Sequence, residues 1–235
     1  MTKTRISPAG TLRVPIRCVL FDLDGTLADT APDLGGAAND LLAELGQPAK
    51  AIDTYRPYIS QGARGMLAVA LRLQPEDADY TKLRNRYLDL YASRLNRDTR
   101  LFPEVEALLQ HLDGNHLPWG IVTNKIMRFT APVVKALGLA SRAACIVAGD
   151  SAARPKPAPD PLLMACELLA TAPATTLYVG DDPRDIDAGH AAGMQTAAAC
   201  WGYLPPETDP ARWGADFRFD AITDLTQLLE LPHVA

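Results

Sequence analysis

The chain has 235 residues, of which 48% are hydrophobic and 22% charged, the composition of a globular protein with a sizeable core. A net charge of -5, with no cluster of Lys and Arg to meet a phosphate backbone, argues against a nucleic-acid partner. No apolar run reaches the roughly 20 residues that span a bilayer, and residues 1–15 lack the apolar centre of a signal peptide. We therefore expect a cytoplasmic protein with no membrane partner.

The first predicted element is a short buried strand. Residues 17–22, RCVLFD, form an apolar run that stops at the Asp and Gly of the segment VLFDLDGTLADT, residues 19–30. From residue 29 to residue 96, apolar residues recur at helical spacing in three segments, with no convincing strand between them. The sequence therefore predicts a helical block inserted directly after the first strand.

Helices and strands alternate through the rest of the chain. Helical patterns over residues 104–112, 128–137, 161–170 and 185–192 each precede a strand-like segment: PWGIVTN, ACIVAGD, TLYVGDD and QTAAACW. This alternation predicts an α/β protein with a Rossmann-like, doubly wound parallel sheet, whose ligand site lies at the carboxyl ends of the strands. The helical block follows the first strand, so we expect it to cap that end.

These elements define the expected domains. Residues 1–28 and 99–235 are assigned to the core and residues 29–98 to the helical cap, with residues 1–16 as a flexible N-terminal extension. A monomer and a homodimer are both compatible with the sequence.

Two carboxylates, Asp22 and Asp24, follow the first strand. Two ionised carboxylates about 5 Å apart repel by roughly 3 kcal/mol at an effective dielectric constant near 20. A shared proton or a bound cation offsets such repulsion, and both are more typical of a working site than of a scaffold. The pair is therefore a candidate site.

Further polar groups follow later strands at the same predicted edge. The hydroxyl and backbone amides at Thr123 and Asn124 suit phosphoryl oxygens, although an ordinary turn has the same composition. Lys156 lies between two prolines that stiffen its backbone, although a lone lysine is more often a solvated surface charge. The segment GDDPRDID supplies three carboxylates that suit either a cation or a helix N-cap: Asp181, Asp182 and Asp185.

These four motifs, in this order, resemble those of the haloacid dehalogenase superfamily of phosphotransferases. The helical insertion after the first motif is similar to the type I cap of the phosphoglycolate phosphatase group. Within that group, WGIVTNK, GDDPRDIDAG and the tail WGYLPPETDPARWGAD are especially similar to bacterial N-acetylmuramic acid 6-phosphate phosphatases.

The resemblance implies hydrolysis of a small phosphate monoester through an aspartyl phosphate. Asp22 would be the nucleophile and Asp24 the general acid and base. Thr123, Asn124 and Lys156 would bind and orient the phosphoryl group.

The resemblance also implies a Mg²⁺ cofactor. Asp22, the carbonyl of Asp24 and Asp181 would hold the ion. Asp185 would be an outer or alternate metal carboxylate and the ion-pair partner of Lys156. Relatives commonly have Ser or Thr where this chain has Asp182, so the role of Asp182 stays open between metal ligand, nearby charge and helix cap.

Substrate choice is expected to lie in the cap. Gly62 and Arg64 lie at a predicted helix start, where free amides and a guanidinium suit a substrate carboxylate, although Arg64 fits a solvated helix position equally well. Phosphoglycolate and N-acetylmuramic acid 6-phosphate both carry a carboxylate. A phosphomutase shares all four motifs, whereas a dehalogenase does not need Asp24, and an inactive binding module would have lost Asp22, Asp24 or Lys156.

Overall fold

A six-stranded parallel sheet forms the centre of the protein, as the sequence predicts. The computed structural model describes residues 14–230, so the predicted N-terminal extension lies largely outside the described residues, while Ile16 is buried against the sheet. Neighbouring strands of the sheet are all parallel, in the order β5-β4-β1-β6-β7-β8. These strands are β1 Cys18–Phe21, β4 Trp119–Val122, β5 Ile146–Val147, β6 Thr176–Gly180, β7 Gln195–Ala199 and β8 Phe217–Phe219.

Both faces of the sheet are covered by helices. Val19 and Phe21 of β1 pack into one hydrophobic cluster, and Cys18 and Leu20 into another on the opposite face. Successive side chains of a strand point to opposite faces, so a strand that is apolar at every position is buried on both sides. The covering helices are α4 Val105–Gly114, α5 Met127–Ala136, α6 Asp160–Leu169, α7 Pro183–Ala192 and α8 Ile222–Glu230.

The segment between β1 and β4 is mainly helical, as predicted. Two 3₁₀ helices, Ile52–Thr54 and Arg56–Gln61, follow the first of its three α-helices. The three pack on one another around a separate hydrophobic cluster rich in Leu, Ala and Tyr. They are α1 Ala31–Glu44, α2 Gly62–Leu71 and α3 Tyr80–Arg94.

Two short strands connect this helical segment to the sheet. The chain leaves through β2, Ala28–Asp29, and returns through β3, Arg100–Leu101, and the two strands pair antiparallel. The sequence patterns did not predict β2, β3 or β8, whose two or three residues show no period; β5 is equally short and was predicted from the longer apolar run ACIVAGD around it. Within the described residues, no helix combines the length and apolarity needed to cross a bilayer.

Candidate active site

The register of the sheet brings the predicted motifs together. Phe21 pairs with Ile121 on β4 and with Val179 on β6, so the residues after β1, β4 and β6 meet at one edge. A cavity of about 300 Å³ lies between this edge and the helices α2 and α3. The predicted site residues that line the cavity are Asp22, Asp24, Gly62, Thr123, Asn124, Lys156 and Asp185.

Three carboxylates converge at the floor of the site. Each of Asp22, Asp181 and Asp185 offers an oxygen, and these oxygens all lie within 4.8 Å of one another. Burial, opposed by Lys156 and reinforced by neighbouring carboxylates, raises the pKa of Asp22 to about 6. Burial, reinforced by the charges of Asp22 and Asp185, raises the pKa of Asp181 well above its ordinary value. Such crowded oxygens need a proton or a cation, and they match the oxygen ligands that Mg²⁺ takes, so the residues present fit this ion.

Lys156 is the counter-charge of this cluster. Its side chain is 2% exposed, and its ammonium lies 2.6 Å from Asp185 Oδ1 and 3.2 Å from Asp22 Oδ1. It also donates to the hydroxyl of Tyr178 at 2.6 Å and to the carbonyl of Val122 at 3.1 Å. Burial opposes its charge, but the two carboxylates prevail and raise the pKa of Lys156 above its ordinary value. The ion pair with Asp185 that the resemblance implied is therefore present.

Asn124 holds the backbone of Lys156 in place. Its side-chain amide donates to the carbonyl oxygen of Lys156 at 2.9 Å, and its side-chain oxygen accepts from the amide of Lys156 at 3.0 Å. Both ends of the Asn124 side chain are thus engaged, which leaves its main chain for contact with a ligand. Thr123 is 2% exposed at the end of β4, and its hydroxyl oxygen accepts from the amide of Lys125 at 3.2 Å.

Asp24 is held apart from the carboxylate cluster by a lysine that the motif analysis missed. The ammonium of Lys125 donates to both oxygens of Asp24, at 2.8 and 3.0 Å, and the hydroxyl of Thr30 donates to Oδ1 at 2.6 Å. Only the carbonyl of Asp24 is therefore left for the implied metal contact. Burial opposes the charge of Lys125, but Asp24 raises its pKa above the ordinary value. Its position directly after Thr123 and Asn124 was the available signal.

Asp181 is positioned by the loop after β7, which begins the segment WGYLPPETDPARWGAD. The backbone amide of Tyr203 donates to Asp181 Oδ2 at 2.8 Å, and the hydroxyl of Thr26 donates to Oδ1 at 3.1 Å. Two glycines allow this close approach. A Cβ on Gly25, whose φ is +87°, would lie 2.1 Å from Asp181 Oδ2, and a Cβ on Gly202 would lie 2.3 Å from Asp181 Cβ. Side chains at either position would displace the carboxylate.

Asp182 is a helix cap. Its side chain accepts from the amide of Arg184, and its own amide donates to Asp185 Oδ2, which forms a capping box at the start of α7. The Arg184 guanidinium donates to Asp182 Oδ1 at 2.7 Å. Burial alone would raise the pKa of Asp182, but Arg184 holds it below its ordinary value. Among the alternatives left open by the sequence, the cap is thus the one observed, and Asp182 lies outside the carboxylate cluster.

The arginine predicted to face the substrate does not line the cavity. Gly62 begins α2 and lines it, but Arg64 is exposed and lies outside the lining. An α-helix turns by about 100° per residue, so a side chain two positions after Gly62 points to the other side. The contact of Arg64 with a substrate therefore stays a prediction without support from the cavity lining, and the arginines that line the cavity are Arg84 of α3 and Arg184 of α7.

The cap side of the cavity combines an apolar wall with two unpaired hydroxyls. Leu34, Ile59 and Leu88 line it together with Phe129 of α5. Two further lining residues, Ser60 and Tyr91, carry buried hydroxyl oxygens with no hydrogen-bond partner in the described part of the chain. Arg84 likewise makes no hydrogen bond or ion pair with any residue from 14 to 230.

A carboxylate after a central strand of a doubly wound sheet, flanked by buried lysines and a carboxylate cluster, defines an α/β protein with a site suited to phosphate chemistry. The chain belongs to the haloacid dehalogenase-like hydrolase family, whose sequence model matches residues 19–199. The predicted family is thereby confirmed.

Similar proteins agree with a phosphoric monoester hydrolase. An N-acetylmuramic acid 6-phosphate phosphatase from Pseudomonas putida is 42% identical over 215 residues, covering 92% of this chain and 96% of the relative. A phosphoglycolate phosphatase from Xanthomonas campestris pv. campestris is 43% identical over 205 residues, covering 87% and 92%. A crystal structure described as a predicted phosphoglycolate phosphatase, from Haemophilus somnus 129PT, superposes with a TM-score of 0.80 at 26% identity, covering 92% and 98%.

Proposed function

We propose that the protein hydrolyses a small phosphate monoester through an aspartyl phosphate on Asp22. The observation that carries this proposal is the orientation of the Asp22 carboxylate at the cavity floor. Its Oδ1 accepts from the amide of Leu23 at 2.7 Å and lies 3.2 Å from the ammonium of Lys156. Its Oδ2 makes no hydrogen bond within residues 14–230, so it is free to attack phosphorus.

Asp24 is the proposed general acid and base. It lines the same cavity two residues from the nucleophile, which suits a group that first protonates the leaving alkoxide and then deprotonates the attacking water. Lys125 and Thr30 hold its carboxylate in one orientation.

The phosphoryl oxygens are assigned to Thr123, the main chain at Asn124 and Lys156. These groups lie at the ends of β4 and the Lys156 loop, on the cavity side of the sheet edge. A hydroxyl, backbone amides and an ammonium fixed before substrate arrives cost little reorganisation in the transition state.

Asp22, Asp181 and Asp185 supply the carboxylates of the proposed Mg²⁺ site, with the carbonyl of Asp24 as a further ligand. When bound, the ion would neutralise charge on the phosphoryl oxygens. Asp185 already pairs with Lys156, so its proposed contribution is to hold the lysine ammonium in place and to add a negative charge near the ion.

The proposed domain division is a core of residues 1–28 and 99–235 with a cap of residues 29–98. Pairing of Ala28 with Leu101 and of Asp29 with Arg100 supports these boundaries, because both chain crossings run side by side there. The hydrophobic cluster around α1, α2 and α3, which also takes in Phe129 and Tyr203 of the core, supports a cap packed around a centre distinct from that of the sheet.

A phosphoglycolate phosphatase-like activity is the first candidate. Arg84 lines the cavity and has no partner among residues 14–230, so it takes the role proposed for Arg64, because an unpaired guanidinium suits a carboxylate such as that of phosphoglycolate. N-acetylmuramic acid 6-phosphate is the second candidate, and one observation favours it. The apolar wall of Leu34, Ile59, Leu88 and Phe129 has nothing to contact on a two-carbon acid, whereas a sugar ring with an acetamido group offers apolar surface.

The test is a panel of phosphate esters assayed with and without Mg²⁺. We expect hydrolysis of 4-nitrophenyl phosphate, 2-phosphoglycolate and N-acetylmuramic acid 6-phosphate to require the ion, with the higher kcat/KM on a carboxylate-bearing ester. Product analysis separates a hydrolase, which releases inorganic phosphate, from a phosphomutase, which moves the phosphoryl group to a second hydroxyl. Full activity after exhaustive chelation would contradict the proposal.

A further inference from the structure

Buried tyrosines in this protein use their hydroxyls, with one exception. Five tyrosines are buried among residues 14–230: Tyr55, Tyr87, Tyr91, Tyr178 and Tyr203. The hydroxyls of Tyr55 and Tyr87 donate hydrogen bonds to Asn39 Oδ1 and to the Leu34 carbonyl. The hydroxyls of Tyr178 and Tyr203 donate to the Val122 carbonyl and to Asp29 Oδ1. The Tyr91 hydroxyl is buried and makes no hydrogen bond of standard geometry with residues 14–230, although the Lys125 ammonium lies near enough to oppose the rise of its pKa that burial causes. Because native proteins rarely leave a buried hydroxyl unsatisfied, this exception needs a physical reason.

The position of the exception supplies that reason. The described residues contain four buried side-chain polar atoms without a partner, and two of these, Ser60 Oγ and the Tyr91 hydroxyl, belong to residues that line the active-site cavity. A group that bonds to a ligand has no partner when the ligand is absent, so unsatisfied atoms gather where a ligand binds.

Neighbouring rings hold Tyr91 in place without using its hydroxyl. Its ring is parallel to that of Tyr87, with centroids 6.5 Å apart, and packs against Phe129 at 5.1 Å. The ammonium of Lys125 lies 5.1 Å from the centroid of the Tyr91 ring, and the same ammonium pairs with Asp24. Tyr91 therefore lies on the cap side of the proposed acid and base, where the leaving alcohol must sit.

We propose that the Tyr91 hydroxyl donates a hydrogen bond to the alcohol part of the substrate, with Ser60 as a second polar contact. This inference rests on the proposed function and deepens it. The chemical class that it selects is a phosphate monoester whose alcohol part carries an oxygen acceptor, such as a hydroxyl, amide or carboxylate. A plain aryl phosphate has no such group in reach and gains nothing from Tyr91.

The test compares Tyr91→Phe with Tyr55→Phe. Both variants remove the hydroxyl of a buried cap tyrosine and keep the ring, but Tyr55 does not line the cavity and its hydroxyl already donates to Asn39. We expect Tyr91→Phe to lower kcat/KM about tenfold on the carboxylate-bearing ester that the wild type prefers, either 2-phosphoglycolate or N-acetylmuramic acid 6-phosphate. The reason is that the variant loses the hydrogen bond from the Tyr91 hydroxyl to the alcohol part of the ester. Activity on phenyl phosphate, whose ring carries no oxygen acceptor, should stay within about twofold, and the Tm should not fall. Tyr55→Phe should lower the Tm and leave the ratio of the two activities unchanged.

Equal losses on both kinds of ester would overturn the inference, since Tyr91 would then act through cap folding or closure. No loss on either kind would overturn it as well. Isothermal titration of the same carboxylate-bearing esters into Asp22→Asn, with and without Tyr91→Phe, separates this inference from the proposed function. If the wild type hydrolyses no ester but Tyr91→Phe still weakens binding about tenfold, the proposed hydrolysis fails and the contact stands. If the wild type is active and Tyr91→Phe does not change the ratio of activities on the two kinds of ester, the proposed Tyr91 contact is wrong and the proposed hydrolysis stands.

Discussion

Replacing Lys156 with Met tests whether one buried ammonium balances the carboxylate cluster. Met keeps much of the volume and the apolar stem but removes the charge. The Lys156 ammonium has four acceptors at 2.6–3.2 Å, and two of these are carboxylate oxygens, on Asp185 and Asp22. The substitution therefore leaves both acids without their counter-charge.

The expected loss of stability follows from burial. The side chains of Lys156 and Asp185 are 2% and 1% exposed, so water cannot replace the lost partner. Removing one member of a buried pair typically costs about 3–5 kcal/mol. The double variant Lys156→Met/Asp185→Asn should recover about 1–3 kcal/mol of this loss, because the most buried orphan charge is then also removed. Turnover should be lost in both variants.

Urea unfolding without Mg²⁺ measures these differences in the free energy of unfolding. The matched control is Lys135→Met on the exposed face of α5, whose free energy of unfolding should lie within about 0.5 kcal/mol of that of the wild type. Added Mg²⁺ should stabilise Lys156→Met, because a cation binds the folded carboxylate cluster and not the unfolded chain. A loss below about 1 kcal/mol, the size expected for an exposed ion pair, would refute the reasoning. So would a double variant less stable than Lys156→Met.

Three further predictions concern the proposed roles. Asp22→Asn should abolish turnover with the fold intact, whereas Asp24→Asn should accumulate phosphate on Asp22, measured by intact-protein mass; phosphate on another residue would contradict the mechanism. Arg84→Ala should lower kcat/KM on carboxylate-bearing esters by roughly tenfold or more, with little change on 4-nitrophenyl phosphate, while the control Arg64→Ala changes neither; equal effects of the two substitutions would exclude Arg84 as the carboxylate contact. Burial raises the pKa of Asp22 to about 6, so protons compete with the cation below that value, and titration calorimetry should find Mg²⁺ binding about tenfold weaker at pH 5 than at pH 7.5; an unchanged affinity would count against the site.

Much of the fold and part of the candidate site can be predicted from the sequence. The period of apolar residues distinguishes the helical block from the alternating core, and it locates β1, β4 and β6. Parallel strands carry the polar groups after them to one edge, so the meeting of Asp22, Thr123 and Lys156 in one cavity could be predicted without coordinates.

Other features depend on contacts that no local pattern reveals. Lys125 meets Asp24 across 101 positions of sequence, and the amide of Tyr203 meets Asp181 across 22. A backbone amide carries no residue-specific signal, which is why the segment WGYLPPETDPARWGAD was noticed for its resemblance but its contact with Asp181 was not predicted.

The sequence by itself therefore determined the order of the elements, the doubly wound sheet and the edge at which the acidic groups collect, because these follow from side-chain periods within single segments. Only the tertiary structure decided which cap residues face the substrate. Arg64 and Arg84 are both exposed on cap helices, and the rotation of each helix against its neighbours places Arg84 at the lining of the cavity and Arg64 outside it. That rotation is set by how the apolar faces of α1, α2 and α3 pack together, a property of the assembled cluster and not of any one helix.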